Sequence, residues 1–330
     1  MRDTAFRMLK GALALAALGY LVVVIEPAAI WAALTEARWA WIGAALALMP
    51  ATLVLDGVVW RHLLHPVVPN ASARQLAGAV LSGFALGFVT PARAGEFVGR
   101  AFYLPDADPW SVSLTIFVQR LVDTVLNVSA GVATLGLVLY IGVLDASPAW
   151  TLLLAGGGAF ALLLVGFLVA PASATRLVHR LFPDRPALHN RLDVLRAYRP
   201  RTMARTVGWA GVRYGLFSTQ FILLIYAFAP DLALPHAICA VALTFFVKFI
   251  VPSVTLMDLG IQEGAAVFFL SLFGVAQAVA FNAALLLFLI NIVVPTLLGV
   301  PFVSRLRLDR SESDSRTVSP SPASADLPPA

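Results

Sequence analysis

Gly87-Phe-Val-Thr-Pro-Ala-Arg-Ala-Gly-Glu-Phe-Val-Gly-Arg100 is the stretch whose reading decides the fold. It sets two arginines, a glutamate, a proline and several glycines inside a part of the chain that otherwise reads as membrane. A charged side chain at bilayer depth costs roughly 2.5–3.5 kcal/mol on insertion scales, so it is kept for a purpose and faces protein or a water-filled cavity. Proline and glycine also stop a helix here. Broken backbone at that depth is tolerated only where protein or a cavity supplies the missing hydrogen bonds. The stretch is therefore a candidate polar site in the membrane interior.

Composition supports the membrane reading. The 330 residues are 60% hydrophobic and only 12% charged, against roughly 25% charged in an average globular domain. A soluble chain of this size could not hide so much apolar surface, whereas a bilayer removes the need. Cys239 is the single cysteine, so a disulfide framework and a cysteine-rich metal site are both excluded. The formal charge of +5 does not point to nucleic acid, because the basic residues sit in loops beside apolar spans, as orientation signals do.

Taken in order, Arg2, Arg7 and Lys10 precede an apolar run at 8–25, read as a retained first span with a cytoplasmic N-terminus. Glu26 and Pro27 end it on the outer side, and Trp31, Trp39 and Trp41 flank a short outer connection at headgroup level. A second span at about 39–55 returns to the cytoplasm, where Asp56, Arg61, His62, His65 and Arg74 follow. His62 and His65 stand at i and i+3 with no third ligand nearby in sequence, so they read as interfacial residues rather than a metal pair. The pieces at 76–90 and 97–104 are short for a crossing and suit a helical hairpin that enters and leaves on one side. Residues 110–144 hold an amphipathic part and one tilted crossing, and 150–170 forms a further span. The insert at 171–205 carries eight arginines against Asp184 and Asp193, which places it in the cytoplasm beside anionic headgroups. A span at 206–228 leads outward, 237–251 runs into Pro252, a polar stretch continues to Gly264, and 265–273 and 276–298 are apolar again. Residues 301–330, rich in Ser, Pro and Asp, read as a disordered cytoplasmic tail after a transmembrane domain at 1–300.

The basic clusters constrain topology. If 76–104 and 237–273 are non-crossing, re-entrant hairpins, six full spans remain and every cluster falls inside. The expected fold class is thus an all-α integral membrane protein with six full spans plus two broken re-entrant helical hairpins. Its two repeats, about 8–144 and 149–300, have inverted topology. Eight spans, with each hairpin arm crossing, preserve the same sidedness and stay open. Interrupted segments at corresponding positions in two halves mark a transporter's binding site.

Arg93 and Arg100 can clamp a phosphate through charge-assisted hydrogen bonds. Glu96 lies three and four residues from them, placed to orient either guanidinium or to titrate as a substrate leaves. Arg120 and Asp123 share one helical face at i,i+3, and mutual neutralisation within this group is compatible with a site. In the second half, Asp258 and Glu263 bring acid, with Lys248 the nearest basic candidate and Arg213 inside the preceding span. Glu263 could equally position the following helix. Asn282 and Asn291 are candidates for pairing between helices. Pro91, Gly95, Pro252, Gly260 and Gly264 are the expected hinges or helix breaks. No nucleotide-binding glycine loop, histidine-rich metal motif or convincing serine nucleophile is present, so no cofactor or metal is expected.

Three elements, Pro91-Ala-Arg-Ala-Gly-Glu-Phe-Val-Gly-Arg100, Gln119-Arg-Leu-Val-Asp123 and Pro252 through Gly260-Ile-Gln-Glu-Gly264, closely resemble the lysylphosphatidylglycerol synthase transmembrane-domain family. The resemblance covers about residues 8–300. It implies that Pro91, Arg93, Gly95 and Glu96 form one motif, Gln119, Arg120 and Asp123 a second, and Gly260, Glu263 and Gly264 a third. Gln119 stands where that family commonly has glutamate. Pro252-Ser-Val-Thr-Leu-Met-Asp258 replaces a Pro-Gly-Gly approach, a departure that bears on substrate and activity. Family members joined to a soluble aminoacyl-transferase domain synthesise and translocate lysylated phosphatidylglycerol. For this chain the resemblance implies the lipid-translocating part.

The leading expectation is a lipid flippase or transporter in the cytoplasmic (inner) membrane, multi-pass with both termini cytoplasmic. It would move an anionic phospholipid or other lipid-linked phosphate. Small residues in the spans allow close helix packing and a homodimer, with no nucleic-acid partner. Two alternatives are a membrane-embedded transferase acting on a lipid phosphate, with Glu96 and Arg93 as its machinery, and a non-catalytic partner of a transferase that docks through 171–205. A transporter is favoured over an enzyme.

Overall fold

A computed structural model describes residues 27–90, 93–104, 107–169, 180, 195, 197–251 and 258–303. The expected first span at 8–25, Pro91, Pro252, nearly all of the basic insert before residue 195, and the tail beyond residue 303 lie outside the described residues.

The described residues are all-α. In chain order the helices are α1 (Pro27–Thr35), α2 (Trp39–Leu64), α3 (Ala73–Val89), α4 (Ala94–Phe102), α5 (Pro109–Tyr140), α6 (Pro148–Val169), α7 (Pro200–Phe228), α8 (Leu234–Ile250), α9 (Asp258–Ser271) and α10 (Gln277–Val303). Five of them, α2, α5, α6, α7 and α10, are 22 to 32 residues long and apolar enough to cross a membrane. A hydrocarbon core of about 30 Å needs about 20 helical residues. The chain is a multi-pass membrane protein.

Local chemistry sets the helix starts. Ser72 and Gln75 form a reciprocal capping box at the head of α3, with Ser72 N donating to Gln75 Oε1 at 2.9 Å and Gln75 N to Ser72 Oγ at 3.2 Å. Asp108 caps α5 by accepting from Ser111 N at 2.8 Å, and Pro109 follows where a missing N–H costs nothing. The largest apolar core joins α2, α5, α6, α7, α8, α9 and α10. Phe246 of α8 is its wedge. A Cβ added at Gly131 of α5 would lie 2.2 Å from the Phe246 Cβ, and one at Gly157 of α6 would lie 3.1 Å from its ring.

Several expected boundaries move. Residues Pro27–Thr35 form a helix rather than a bare connection. Helix α2 continues to Leu64, so Asp56 lies inside it rather than in a cytoplasmic loop. The apolar run resumes at Gly57-Val-Val-Trp60, and buried partners offset the Asp56 charge. Helix α7 begins at Pro200, taking Arg201 and Arg205 out of the expected insert. Helix α9 begins at Asp258, seven residues before the expected start. Gly260 and Gly264 are consequently helical, as is Gly95 in the first turn of α4. Small residues persist within membrane helices because they let backbones approach closely.

Candidate functional site

The decisive stretch folds as an antiparallel helical hairpin of α3 and α4. Ser82 Oγ donates to Gly99 O at 2.9 Å, while Gly78 faces Tyr103 and Gly95 faces Leu86. Each of these pairs sums to 181, the mark of a regular antiparallel pairing. A Cβ at Gly95 would sit 2.2 Å from Leu86 O, and one at Gly99 2.7 Å from Ser82 O, so only glycine lets the helices meet so closely. Thr90 closes the tip: its hydroxyl accepts from Gly95 N at 2.6 Å and donates to Leu86 O at 2.9 Å. Arg93, the residue before α4, is the one described non-glycine residue with positive φ (53°).

This packing aims the charged side chains of α4 at α2 and α5. Arg100 Nη2 donates to Asp56 Oδ2 and to Glu96 Oε1, each at 2.8 Å, and Nη1 donates to Gln119 Oε1 at 3.0 Å. Its guanidinium rests 4.9 Å from the Trp60 ring centroid, and only 2% of the residue is exposed. Gln119 Nε2 donates to Asp56 Oδ1 at 2.8 Å. Gln119 therefore serves a cation and a carboxylate at once, a pairing that a glutamate there could make only when protonated. Arg213, near the middle of α7, reaches Asp56 with Nη1 and Asp123 with Nη2. Arg120 Nη2 donates to Glu96 Oε2, and Arg93 Nε lies 3.7 Å from the same oxygen.

The result is an alternating ladder, Asp123–Arg213–Asp56–Arg100–Glu96, ending in Arg120 and Arg93. A lone buried charge would be prohibitive, and alternation is how α2, α4, α5 and α7, with Arg93 at the head of α4, bring seven charges together. The ladder lines one wall of a cavity of about 420 Å³. Lys248 of α8, which donates to Gln262 Oε1, lines it from the second half. So does Asn291, which sits in a π-helical turn at Leu289–Val293 and accepts from Thr52 Oγ1 at 3.5 Å. Such turns are frequent at functional sites. Leu53, Phe84, Phe217, Phe249 and Phe288 supply apolar walls.

Of the residues singled out by sequence, Arg93, Glu96, Arg100, Arg120 and Asp123 converge on this one cavity. Asp258 is the first residue of α9, and Glu263 is fully buried within the same helix. Asn282 is buried in α10. Sequence reasoning missed Asp56 altogether as a site residue and left Arg213 without a partner. The available signal was that each stands well inside an apolar run long enough to cross a membrane.

The family model described as the lysylphosphatidylglycerol synthase TM region matches residues 7–299. The chain belongs to that family. The match spans both halves and all three motifs, so the lysylphosphatidylglycerol synthase TM region here includes the whole cavity and its ladder. Membership is consistent with a flippase-like role in a membrane. No curated protein matches the sequence.

Proposed function

We propose that this chain is a lipid flippase or transporter that carries the headgroup of an anionic phospholipid, or another lipid-linked phosphate, through the cavity between its halves. One observation carries the reading. Among the described residues lining the cavity, the cations are Arg93, Arg100, Arg120, Arg213 and Lys248, and the carboxylates are Asp56, Glu96 and Asp123, an excess of two positive charges (5 − 3). A low-dielectric cavity with that excess favours an anion. Guanidinium groups are the side chains best shaped for phosphate. At about 420 Å³ the cavity lies at the small end of ligand sites, which run to roughly 1,000 Å³. That volume suits a headgroup whose chains stay in the bilayer.

In this reading α3–α4 and α8–α9 are re-entrant hairpins of an inverted repeat. Their lengths support it. Helices α3 and α8 have 17 residues each, α4 has 9 and α9 has 14, giving about 26, 14 and 21 Å at 1.5 Å per residue, all short of about 30 Å of hydrocarbon. Repeat one then covers about 8–144 and repeat two about 149–300, with both termini cytoplasmic in the inner membrane. Purified protein in liposomes, offered labelled phosphatidylglycerol, lysyl-phosphatidylglycerol, a polyprenyl phosphate and phosphatidylcholine, tests the function. At least one of the first three should cross faster than in empty liposomes. Equal rates with and without protein for all three would refute it.

A further inference from the structure

The ladder is one polar layer of the cavity, and a second layer, without charge, stands one turn of helix away. Arg213 joins Asp56 of α2 to Asp123 of α5. Thr52 lies four residues before Asp56 and Asn127 four residues after Asp123, about 5.4 Å along each helix axis. Trp60 Nε1 donates to Thr115 Oγ1 and Gln119 Nε2 to Asp56 Oδ1, both at 2.8 Å. Helices α2 and α5 are therefore antiparallel, and the two steps lead the same way. Asn291 of α10 joins the layer, its Oδ1 3.5 Å from Thr52 Oγ1. All three residues line the cavity and are buried, at 8%, 7% and 9% exposed for Thr52, Asn127 and Asn291.

Their hydrogen bonds decide what they present to a ligand. Thr52 gives its proton to Met49 O at 2.7 Å, the shorter of its two contacts, which leaves its oxygen to accept. Asn127 Nδ2 donates to Asp123 O at 2.8 Å and Asn291 Nδ2 to Leu287 O at 3.1 Å, each one turn back on its own helix. A side-chain amide has two N–H donors and an acceptor oxygen, so each asparagine keeps one N–H and its oxygen. Among the described residues none donates to Asn127 Oδ1. Buried groups with such capacity call for a partner that both donates and accepts. A hydroxyl does both. An ionised phosphate only accepts, which suits the guanidiniums of the ladder instead. An ammonium only donates, and Asp56 and Asp123 are already paired with Arg213.

We infer that Thr52, Asn127 and Asn291 form a hydroxyl subsite, so that the cargo is a phospholipid whose headgroup carries an alcohol beyond its phosphate, as a glycerol headgroup does. The inference rests on the reading of the cavity as an anionic-lipid route and names the headgroup class. The ladder takes the phosphate, and the alcohol reaches the neutral layer one turn away. An anionic headgroup without the alcohol leaves the two amides unpaired, and a site built on such contacts rejects the analogue that lacks the group.

The test is equilibrium binding to the purified full chain in neutral detergent, comparing dioctanoyl phosphatidylglycerol with dioctanoyl phosphatidylpropanol, which has the same charge and headgroup carbons but no headgroup hydroxyl. Dioctanoyl phosphatidylethanolamine, a polyprenyl phosphate and free glycerol phosphate complete the set. Wild type should bind phosphatidylglycerol about tenfold more tightly than phosphatidylpropanol, the step expected when buried hydrogen-bonding groups go unpaired. Asn127→Leu and the isosteric Thr52→Val should each narrow that ratio by about threefold or more and leave phosphatidylpropanol binding unchanged. The ratio is internal to each protein, so a loss of stability alone does not move it. Equal wild-type affinity for the two lipids, or binding of the polyprenyl phosphate and neither of them, would overturn the hydroxyl subsite and leave the transport reading standing. No binding of any anionic lipid would overturn both. A full tenfold ratio persisting in both variants would overturn the assignment to these residues. Phosphatidylethanolamine bound more tightly than phosphatidylglycerol would overturn the hydroxyl in favour of an ammonium, and glycerol phosphate bound as tightly as the lipid would overturn the lipid as the ligand.

Discussion

Asp56→Ala is the substitution that strikes the ladder at its centre. Asp56 is 6% exposed and accepts from Arg100, Gln119 and Arg213, the first two at 2.8 Å. Removing one partner of a buried ion pair costs about 3–5 kcal/mol, because the remaining charge stays desolvated. Here two arginines lose a partner, but Arg100 keeps Glu96 and Arg213 keeps Asp123, which places the loss near the lower end, about 3 kcal/mol. Unfolding in mixed detergent micelles, followed by circular dichroism, measures it. The double variant Asp56→Ala/Arg213→Met should fall short of additivity by about 1–3 kcal/mol, as expected for residues in one network. An Asp56→Ala protein within about 0.5 kcal/mol of wild type, the range of ordinary surface changes, would refute the ladder as a structural element.

Two further substitutions probe the packing that aims the site. Gly99→Ala puts a Cβ 2.7 Å from Ser82 O, so α4 must move off α3; stability should fall by about 1–3 kcal/mol, read in the same unfolding assay. Phe246→Ala empties the wedge between α5, α6 and α8, where the residue is 1% exposed, and should cost about 3–5 kcal/mol, again checked by unfolding.

Much of this arrangement was legible in the sequence because it is local. The run from Gly87 to Arg100 announces a broken helix, and the i,i+3 and i,i+4 spacings around Glu96 announce neighbours on one face. Gly95, expected as a helix break, instead packs with Gly99 against α3, a role that shows only once Leu86 and Ser82 lie opposite them. What no spacing could show is the partnership of residues 44 and 157 positions apart, Asp56 with Arg100 and with Arg213. Asp56 was read as the end of a span because a charge usually ends one. In the folded chain two guanidiniums offset its desolvation and the helix runs on to Leu64. Gln119 follows the same logic: its need to donate to one neighbour and accept from another appears only once Asp56 and Arg100 are both beside it.

The cavity as the route is tested most directly by plugging it. Thr124 lines it, and Cys239 is the chain's one cysteine, so Cys239→Ala/Thr124→Cys carries a single thiol at the site. Reconstituted in liposomes, this protein should move labelled anionic lipid at the wild-type rate before treatment and at the rate of empty liposomes after reaction with a bulky maleimide. Movement undiminished at full labelling would contradict the account.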